Sequence, residues 1–419
     1  MASLPGPTFT VSAERLRRDL EHVASYGATA SGGVARTSFT DADRRVRAWL
    51  ADRCEEAGLR LRTDAVGNVF MRLEAPGAPP DTPPVWAGSH LDSVPEGGRF
   101  DGALGSLAAL EVVRRLAEER VQLRRPVEAV VFADEEGSYH HLLGSTALVR
   151  GFSADELAAL RGRDGTRLVD ALQAMGFDAQ AATRVKLSPG DVHAYVELHI
   201  EQGAVLESAG ATIGVVTAIV GIGSGWLEFR GRQDHAGTTP MALRRDALRG
   251  AGDLVARLPE VARSVSADAV ATCGIVHVEP GAANVVPALV RLSLDFRDPD
   301  RGRLLSLEDA VVAAAHAAAE RHALEVTYTR ESIIDPVPLD PTMQELVATA
   351  AAERGLPALH LPSGAGHDAQ NIARLAPTGM IFVPSVGGRS HSPAEATRWE
   401  DVEAGANVLL ATVHALATG

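Results

Sequence analysis

The stretch Val85-Trp86-Ala87-Gly88-Ser89-His90-Leu91-Asp92 begins as an apolar run, breaks at a glycine and ends on a histidine and a carboxylate. Its first residues predict a short buried strand that delivers His90 just beyond its end. Asp101 and the pair Glu135-Glu136 also lie in glycine-containing breaks, the pair directly after a continuous apolar run. Open α/β sheets place their sites beyond the ends of strands. The arrangement therefore predicts an α/β fold with a site at one edge of its sheet.

Two further histidines stand in similar settings. His199 follows the apolar run Val192–Leu198, and His391 follows Ile381–Pro384. Imidazole nitrogens and carboxylate oxygens are the ligands that zinc, manganese and related divalent ions take in proteins. Two carboxylates in sequence can divide the duties of metal ligand and base. The sequence therefore predicts a dinuclear metallohydrolase.

The bulk composition limits the size, partners and compartment of the protein. A chain of 419 residues exceeds one ordinary core, so we expect two domains. The formal charge of −14 argues against nucleic acid or an anionic membrane as a partner, but it leaves room for a small anionic substrate. Met1–Leu16 lacks a signal-peptide pattern, and no apolar run reaches the ~18 residues of a spanning helix. Cys54 and Cys273 lie in apolar segments, which favours buried thiols and a cytoplasmic protein.

The pattern of elements changes twice along the chain. Between about residues 210 and 330 its core reads as a strand, a helix over Ala242–Leu258, a strand over Val270–Val278, another strand, a helix and a last strand, which predicts a small antiparallel β-α-β-β-α-β unit. The sequence therefore predicts that residues 1–210 and 331–419 form one domain. Residues 211–330 form a second domain inserted into it.

These blocks, in this order, resemble the dizinc aminoacylase/carboxypeptidase-type hydrolases. Within this superfamily the chain specifically resembles the hydantoinase/carbamoylase branch. That branch comprises N-carbamoyl-L-amino acid hydrolases, allantoate amidohydrolases and β-ureidopropionases. The motifs that mark this branch are Glu197-Leu198-His199-Ile200-Glu201-Gln202-Gly203, Asp234-His235-Ala236-Gly237-Thr238-Thr239-Pro240-Met241, Ser363-Gly364-Ala365-Gly366-His367-Asp368-Ala369 and Ser390-His391-Ser392-Pro393. The similarity spans nearly the whole chain. It implies a metallopeptidase-like catalytic domain, with a central mixed sheet flanked by helices, and an inserted α+β ferredoxin-like dimerisation domain.

One loop departs from the family pattern. After Glu135-Glu136-Gly137-Ser138 the family usually continues with arginine, phenylalanine and a longer segment. This chain has the shorter stretch Tyr139-His140-His141-Leu142-Leu143 instead. Because the loop adjoins the expected metals, it bears on which substrate is bound.

The resemblance implies a set of metal ligands. Asp101 would bridge two divalent ions, with His90 and His199 completing one site and Glu136 and His391 the other. Zinc is the first expectation for both ions in each subunit, with manganese, cobalt and nickel as alternatives. Four further histidines, His140, His141, His277 and His316, have no comparable context, and we treat them as non-ligands.

Other roles also follow from the resemblance. Glu135 would be the general base. Asp92, two positions after His90, would be an acceptor behind the ligand that orients its imidazole; the alternative is a residue of an Asx turn. Glu135 and Glu136 are adjacent, and adjacent side chains in extended backbone point in opposite directions. The two carboxylates can therefore face one site only if the turn twists.

Four residues are expected to contact the substrate. His235 and Asn284 would polarise the ureido carbonyl, Arg297 would take the substrate carboxylate, and Gln202 would be a further polar contact. Arg297 also continues the polar face of an alternating strand, so a solvated side chain is its ordinary explanation. The resemblance further implies a homodimer in which His235 and Asn284 act in the partner's site.

The expected reaction is hydrolysis of a C–N bond in an N-carbamoyl group of a small carboxylate, above all an N-carbamoyl-L-amino acid, with release of ammonia and CO₂. Allantoate and β-ureidopropionate remain alternatives, because both present a ureido group and a carboxylate. A general aminoacylase or dipeptidase is a further alternative. An inactive binding protein is a third, and the intact ligand set argues against it.

Overall fold

The computed structural model describes residues 7–419. The chain forms two compact units. The first comprises the chain up to Thr217 with Leu339–Leu361 and Gly366–Gly419, and the second comprises Ala218–Pro338 with Pro362–Ala365. The chain passes between the units several residues after the predicted boundaries at 210/211 and 330/331. Residues 1–6 lie outside the described residues. They include the start of the predicted segment 1–210 and of Met1–Leu16, for which no signal peptide was predicted.

Helices and strands alternate through most of the chain. The helices are α1 (Ala13–Ala24), α2 (Asp41–Glu56), α3 (Ala103–Glu118), α4 (Leu143–Val149), α5 (Ala154–Ala159), α6 (Leu168–Ala174), α7 (Val205–Ala209), α8 (Ala247–Val265), α9 (Arg301–Arg321), α10 (Pro341–Ala352), α11 (Asp368–Ile372) and α12 (Trp399–Thr418). The strands are β1 (Arg60–Thr63), β2 (Val69–Leu73), β3 (Val85–His90), β4 (Val127–Phe132), β5 (Ala194–Ile200), β6 (Ile213–Ile219), β7 (Gly221–Arg230), β8 (Asp234–His235), β9 (Val270–Thr272), β10 (Val276–Glu279), β11 (Val285–Val286), β12 (Leu289–Asp298), β13 (Glu325–Ile334), β14 (Val337–Pro338), β15 (Ala358–Ser363) and β16 (Thr378–Val383). Short 3₁₀ turns span Ala181–Arg184, Met241–Leu243 and Val386–Gly388.

The first unit is built on a mixed sheet in the strand order β1-β2-β4-β3-β5-β16-β6, with β15 also paired to β6. The four central strands β4, β3, β5 and β16 run parallel, and the strands on either side of them are antiparallel. Every residue of these four strands is buried, as expected for parallel strands covered on both faces. The predicted catalytic domain with a central mixed sheet flanked by helices is confirmed.

Helix α2 shows how local sequence sets an element of this unit. Thr40 caps it, because the Thr40 side chain accepts from the Asp43 amide. Val46, Leu50 and Cys54 recur at helical spacing and are buried in the core of the first unit. This spacing and the threonine before Asp41 predict a helix from about Asp41 to Ala57, which the structure confirms. Helices α3 and α12 pack on the parallel strands and on each other.

The second unit has the predicted β-α-β-β-α-β order. Strands β10, β12, β7 and β13 lie side by side in this order, all antiparallel, and α8 packs against α9. The ferredoxin-like arrangement is confirmed. The strand predicted over Val270–Val278 is instead two strands, β9 and β10, which pair with different parts of β12. Helix α8 begins at Ala247 rather than near Ala242, because the Asp246 side chain accepts from the Leu248 amide and caps it there.

Two absences concern the described part of the chain only. Between residues 7 and 419 no helix combines the length and the apolar character needed to cross a membrane. Cys54 is buried and Cys273 half-buried, and both are free thiols.

The close approach of α3 to the sheet depends on Gly105. A Cβ at this position would lie 2.1 Å from the carbonyl oxygen of Leu198 in β5. We expect Gly105→Ala to destabilise the first unit by about 1–3 kcal/mol, because helix and strand must move apart. Gly252→Ala in α8 is the matched control, since its Cβ would meet nothing within 4 Å. Urea unfolding of both variants, followed by circular dichroism, checks the pair. Equal stability of Gly105→Ala and the unaltered protein would contradict the described packing.

Candidate metal centre

Five side chains meet at the carboxyl ends of the parallel strands. His90 is the last residue of β3 and His199 lies in β5. Asp101, Glu136 and His391 lie in loops, just before α3, after β4 and after β16. The sequence placed His90 and His199 beyond their strands. Both lie inside them, because parallel pairing continues to Phe132 opposite His90 and to Phe382 opposite His199.

The carboxylate of Asp101 is at the centre of the cluster. Its Oδ1 lies 3.2 Å from His199 Nε2 and 3.6 Å from His90 Nε2. Its Oδ2 lies 3.3 Å from His391 Nε2, which is in turn 3.7 Å from Glu136 Oε2. Each oxygen of one carboxylate thus faces a different set of possible ligands, which is the geometry that a bridging aspartate requires.

The spacing of these donor atoms fits divalent ions. Four ligands at about 2.1 Å in a tetrahedral arrangement are separated from one another by about 3.4 Å. The donor separations around Asp101 run from 3.2 to 3.7 Å. Glu136 Oε1 is buried and makes no hydrogen bond within the described residues, so it is open to a cation. The donor set of imidazole and carboxylate suits Zn²⁺, Mn²⁺, Co²⁺ and Ni²⁺.

The two buried histidines are fixed in the tautomer that a metal needs. His90 Nδ1 lies 2.9 Å from the carbonyl oxygen of Asp92, and His199 Nδ1 lies 2.8 Å from that of Ile200. Each Nδ1–H therefore donates to a carbonyl, which leaves the Nε2 lone pair directed at Asp101.

Asp92 contacts His90 with its main chain more closely than with its carboxylate. Its Oδ1 is 3.6 Å from His90 Nδ1, against 2.9 Å for its carbonyl oxygen. The carboxylate instead accepts from the amides of Glu135 and Glu136, at 3.2 and 3.1 Å. One residue thus ties the histidine to the turn that carries both glutamates.

That turn twists, as the sequence argument required. Asp134 has a φ of +56°, in the left-handed region that non-glycine residues seldom adopt. Beyond it, Glu135 Oε2 lies 3.7 Å from His90 Nε2, whereas Glu136 Oε2 lies 3.7 Å from His391 Nε2. Both carboxylates face the cluster but approach different histidines.

The electrostatics reflect a concentration of buried acids. Burial raises the pKa of the Glu135 carboxyl well above its usual range. Burial, followed by repulsion from Asp101, raises the pKa of Glu136 to about 7. Burial would also raise the pKa of Asp101, but His199, His391 and His90 hold it well below its usual range. Two bound divalent cations would offset the negative charge of these carboxylates.

Three further residues hold Asp101, and only Gln202 among them was expected from the sequence. Glu395 accepts from the amides of Phe100 and Asp101, at 2.8 and 3.1 Å. Ser390 Oγ lies 3.0 Å from Asp101 Oδ2 and 2.9 Å from Glu395 Oε2. Gln202, expected to contact substrate, donates from Nε2 to Asp101 Oδ2 at 2.8 Å. Only the Ser-His-Ser-Pro motif hinted at Ser390, and nothing hinted at Glu395.

A second buried group lies behind His199. The His367 ring lies 4.6 Å from that of His199, centroid to centroid. Glu197 accepts from Ser89 Oγ, Tyr195 Oη and the Ala369 amide. Glu197 and His367 both lie in the motifs quoted above, so the sequence contained a signal for them, but we predicted no role for either residue.

The expected substrate contacts of the second unit also lie near one another. Strand β8 pairs with β11, and the Ala236 amide donates to the Asn284 carbonyl at 2.9 Å, which brings His235 and Asn284 together. His235 Nδ1 accepts from the amides of Gly237 and Thr238, at 3.0 and 3.2 Å. In the neutral ring Nε2 therefore carries the hydrogen and is a donor. Both side chains are exposed.

Arg297 has partners within the second unit. Its Nε and Nη2 donate to the two carboxylate oxygens of Asp295, at 2.8 and 3.1 Å, and its Nη1 donates to the Gly364 carbonyl at 2.7 Å. The guanidinium is half-buried and held in one orientation.

Comparison with known proteins gives a consistent result. Residues 86–415 match the family described as Peptidase family M20/M25/M40. The chain is 41% identical to an N-carbamoyl-L-amino acid amidohydrolase of Geobacillus stearothermophilus, over 98% of this chain and 100% of that one. It is 35% identical to an allantoate amidohydrolase of Bacillus subtilis, over 95% of this chain and 96% of that one.

A solved structure extends the comparison to the fold. A hydantoinase/carbamoylase family amidase from Burkholderia multivorans superimposes with a TM-score of 0.92 and 38% identity, over 99% of this chain and 100% of that one. The resemblance that the motifs indicated is confirmed. The chain belongs to the M20/M25/M40 peptidase family and, within it, to the hydantoinase/carbamoylase branch.

Proposed function

We propose that this protein is a metal-dependent amidohydrolase that cleaves a C–N bond in the N-carbamoyl group of a small carboxylate, in the first place an N-carbamoyl-L-amino acid. The products are ammonia, CO₂ and the free amino acid. The observation that carries the proposal is the Asp101 carboxylate beside the buried Glu135: its Oδ1 faces His90 and His199, and its Oδ2 faces His391. The relatives named above support the choice of a ureido substrate.

The donor set supports two divalent ions in each subunit, with zinc as the first choice. His90 and His199 would hold one ion, Glu136 and His391 would hold the other, and Asp101 would be shared. When bound, such ions polarise the ureido carbonyl and acidify a water molecule. The chain contributes two histidines held in the Nδ1–H tautomer and the negative charge of the Asp101 carboxylate.

Glu135 is the proposed general base. Its carboxylate is buried, and Asp92 holds its amide at 3.2 Å, so the side chain is firmly placed beside His90. It takes a proton from the attacking water and gives a proton to the leaving nitrogen as the C–N bond breaks. A base near charged ligands needs a pKa close to the working pH, and burial moves a carboxyl in that direction.

The second unit would supply the groups that recognise the substrate. His235 Nε2–H is the donor proposed for the ureido carbonyl oxygen, with Asn284 beside it. Arg297 is proposed to take the substrate carboxylate in the two-pronged manner of its present bonds to Asp295. Gln202 would contact substrate from the metal side.

We further propose a homodimer formed through the second unit, with His235 and Asn284 completing the partner's site. Most of the large hydrophobic side chains that stand exposed in the described chain lie between residues 241 and 276. Val276 on the edge strand β10 is 49% exposed, and Leu248 and Val255 on α8 are 43% and 39% exposed. A second copy of the chain would cover this surface, as exposed apolar patches commonly mark interfaces.

Allantoate is the second candidate substrate, because a relative of similar identity carries that name. Allantoate, β-ureidopropionate and N-carbamoyl-L-amino acids share a ureido group and a carboxylate. A substrate panel separates them: ammonia release is measured for these three, and free amino acid for N-acetyl-L-amino acids as the test of a general aminoacylase. The free thiols Cys54 and Cys273 are consistent with work in the cytoplasm, which we propose as its compartment.

The metal content can be tested directly. We expect chelation to abolish ammonia release from N-carbamoyl-L-amino acids and two divalent ions per chain to restore it, since Asp101 is placed to bridge a pair. Glu136→Gln should bind less metal, measured by elemental analysis after dialysis. Glu403→Gln, on the exposed face of α12, is the control with unchanged content. Full activity with one ion per chain, or with none, would overturn the assignment.

The division of labour between the two glutamates gives a second test. We expect Glu135→Gln to keep its metal content and to lower kcat by roughly 10²–10⁴-fold, the usual contribution of a general base. Elemental analysis and steady-state kinetics on the same preparation decide the matter. A Glu135→Gln variant that loses metal while Glu136→Gln keeps it would reverse the two roles.

The composite site is tested by mixing two inactive variants, Glu135→Gln and His235→Ala. If His235 acts across the interface, each mixed dimer contains one intact site, and exchange at equal amounts restores about a quarter of the wild-type activity. If His235 acts within its own chain, no dimer has an intact site. Subunit exchange is verified by native mass spectrometry, so an inactive mixture of exchanged dimers, or a monomeric active enzyme, contradicts the proposal.

A further inference from the structure

The loop after the two glutamates, Ser138–Gly144, is closed by hydrogen bonds at both ends. The Asp134 carboxylate accepts from the amides of Ser138, Tyr139 and His140, at 2.8–3.0 Å. The amides of the last three residues donate back to the carbonyls of the turn: Leu142 to Glu135, Leu143 to Asp134 and Gly144 to Ala133. The loop is therefore preorganised, and His141 stands at its tip between the two sets of bonds.

The imidazole of His141 turns back onto the proposed base. His141 Nδ1 lies 2.7 Å from the carbonyl oxygen of Glu135, which also accepts from the Leu142 amide. A carbonyl oxygen can only accept, so Nδ1 carries the hydrogen and Nε2 is left as an acceptor in the neutral ring. Burial lowers the pKa of His141 below its ordinary value, which favours the neutral ring.

His141 Nε2 lies beside Gly366, the residue that precedes His367. A Cβ on Gly366 would be 3.0 Å from Nε2, and the His367 ring contacts that of His199. His141 keeps part of its surface in solvent, although the packing around its ring is sufficient to lower its pKa. Within residues 7–419, Nε2 makes no hydrogen bond. The loop thus presents one uncommitted acceptor beside Glu135.

We infer that His141 Nε2 accepts a hydrogen bond from the terminal NH₂ of the substrate's ureido group. The inference rests on the proposed function and deepens it. In a ureido group the terminal nitrogen is bonded to the carbon that the water attacks, so it must lie close to Glu135. In the proposed function the bound metals and His235 would address the carbonyl oxygen and Arg297 the carboxylate, which leaves the NH₂ hydrogens to be bound by an acceptor.

This role separates ureido substrates from acyl analogues. An N-formyl amino acid has the same carbonyl and carboxylate but a hydrogen in place of the NH₂ group. It offers His141 no donor and would leave Nε2 without a partner. His141 is then a residue that determines specificity, carried by the loop in which this chain departs from the family pattern.

The test compares kcat/KM for an N-carbamoyl and an N-formyl derivative of one L-amino acid. His141→Asn keeps a donor for the Glu135 carbonyl but removes the acceptor at Nε2. We expect its kcat/KM to fall about ten-fold for the carbamoyl substrate, the effect of one hydrogen bond, and to stay unchanged for the formyl one. If the formyl compound turns over too slowly, competitive inhibition constants of the two compounds give the same comparison.

Two further variants make the outcome decisive. His141→Phe removes both hydrogen bonds, so it should lower both rates, and the carbamoyl rate more. His140→Asn is the matched control from the same loop, because its ring packs on Phe152 at 5.1 Å, and we expect it to leave the ratio of the two rates unchanged. A His141→Asn variant that slows both substrates equally, or neither, overturns the inference. Wild-type protein that releases no ammonia from any ureido substrate would instead overturn the proposed function.

Discussion

The structure of the site depends on a single buried carboxylate. Asp101 brings together three histidines that are far apart in the chain, and its low pKa follows from their proximity. It is itself held from behind, because Glu395 fixes its amide and Ser390 and Gln202 contact its Oδ2. A carboxylate with so many donors cannot turn away, so its two oxygens stay directed at two separate positions.

The parallel strands make this convergence possible. Strands β4, β3, β5 and β16 end at one edge of the sheet, so the residues that follow or terminate them meet in space. The helix after Asp101 must then lie very close to the sheet. Gly105 permits this, as a side chain there would strike the main chain of β5 one residue before His199. The same few residues thus determine both the packing of α3 on the sheet and the positions of the proposed metal ligands.

Much of this could be predicted from the sequence, because the information was local. The apolar runs before His90 and Glu135 and the glycine breaks after them indicated strands and a site at their ends. Other features are set by contacts that no local pattern reports. Glu395 reaches the Asp101 amide across 294 positions of the chain, and the left-handed backbone at Asp134 follows from the hydrogen bonds around it. For the same reason the split of the predicted strand near Cys273 could not be anticipated, since its two halves are fixed by their pairing with β12.

The hydrogen bonds that close the loop after Asp134 affect how enzymes of this kind can vary in sequence. Its carboxylate fixes the start of the loop and the carbonyls of the same turn fix the end. The two glutamates lie on one side of these hydrogen bonds, and the tip of the loop lies on the other side. Insertions and deletions at the tip therefore leave the geometry of the proposed metal ligands intact. A lineage with this architecture can exchange the surface that meets its substrate while the catalytic apparatus is inherited unchanged.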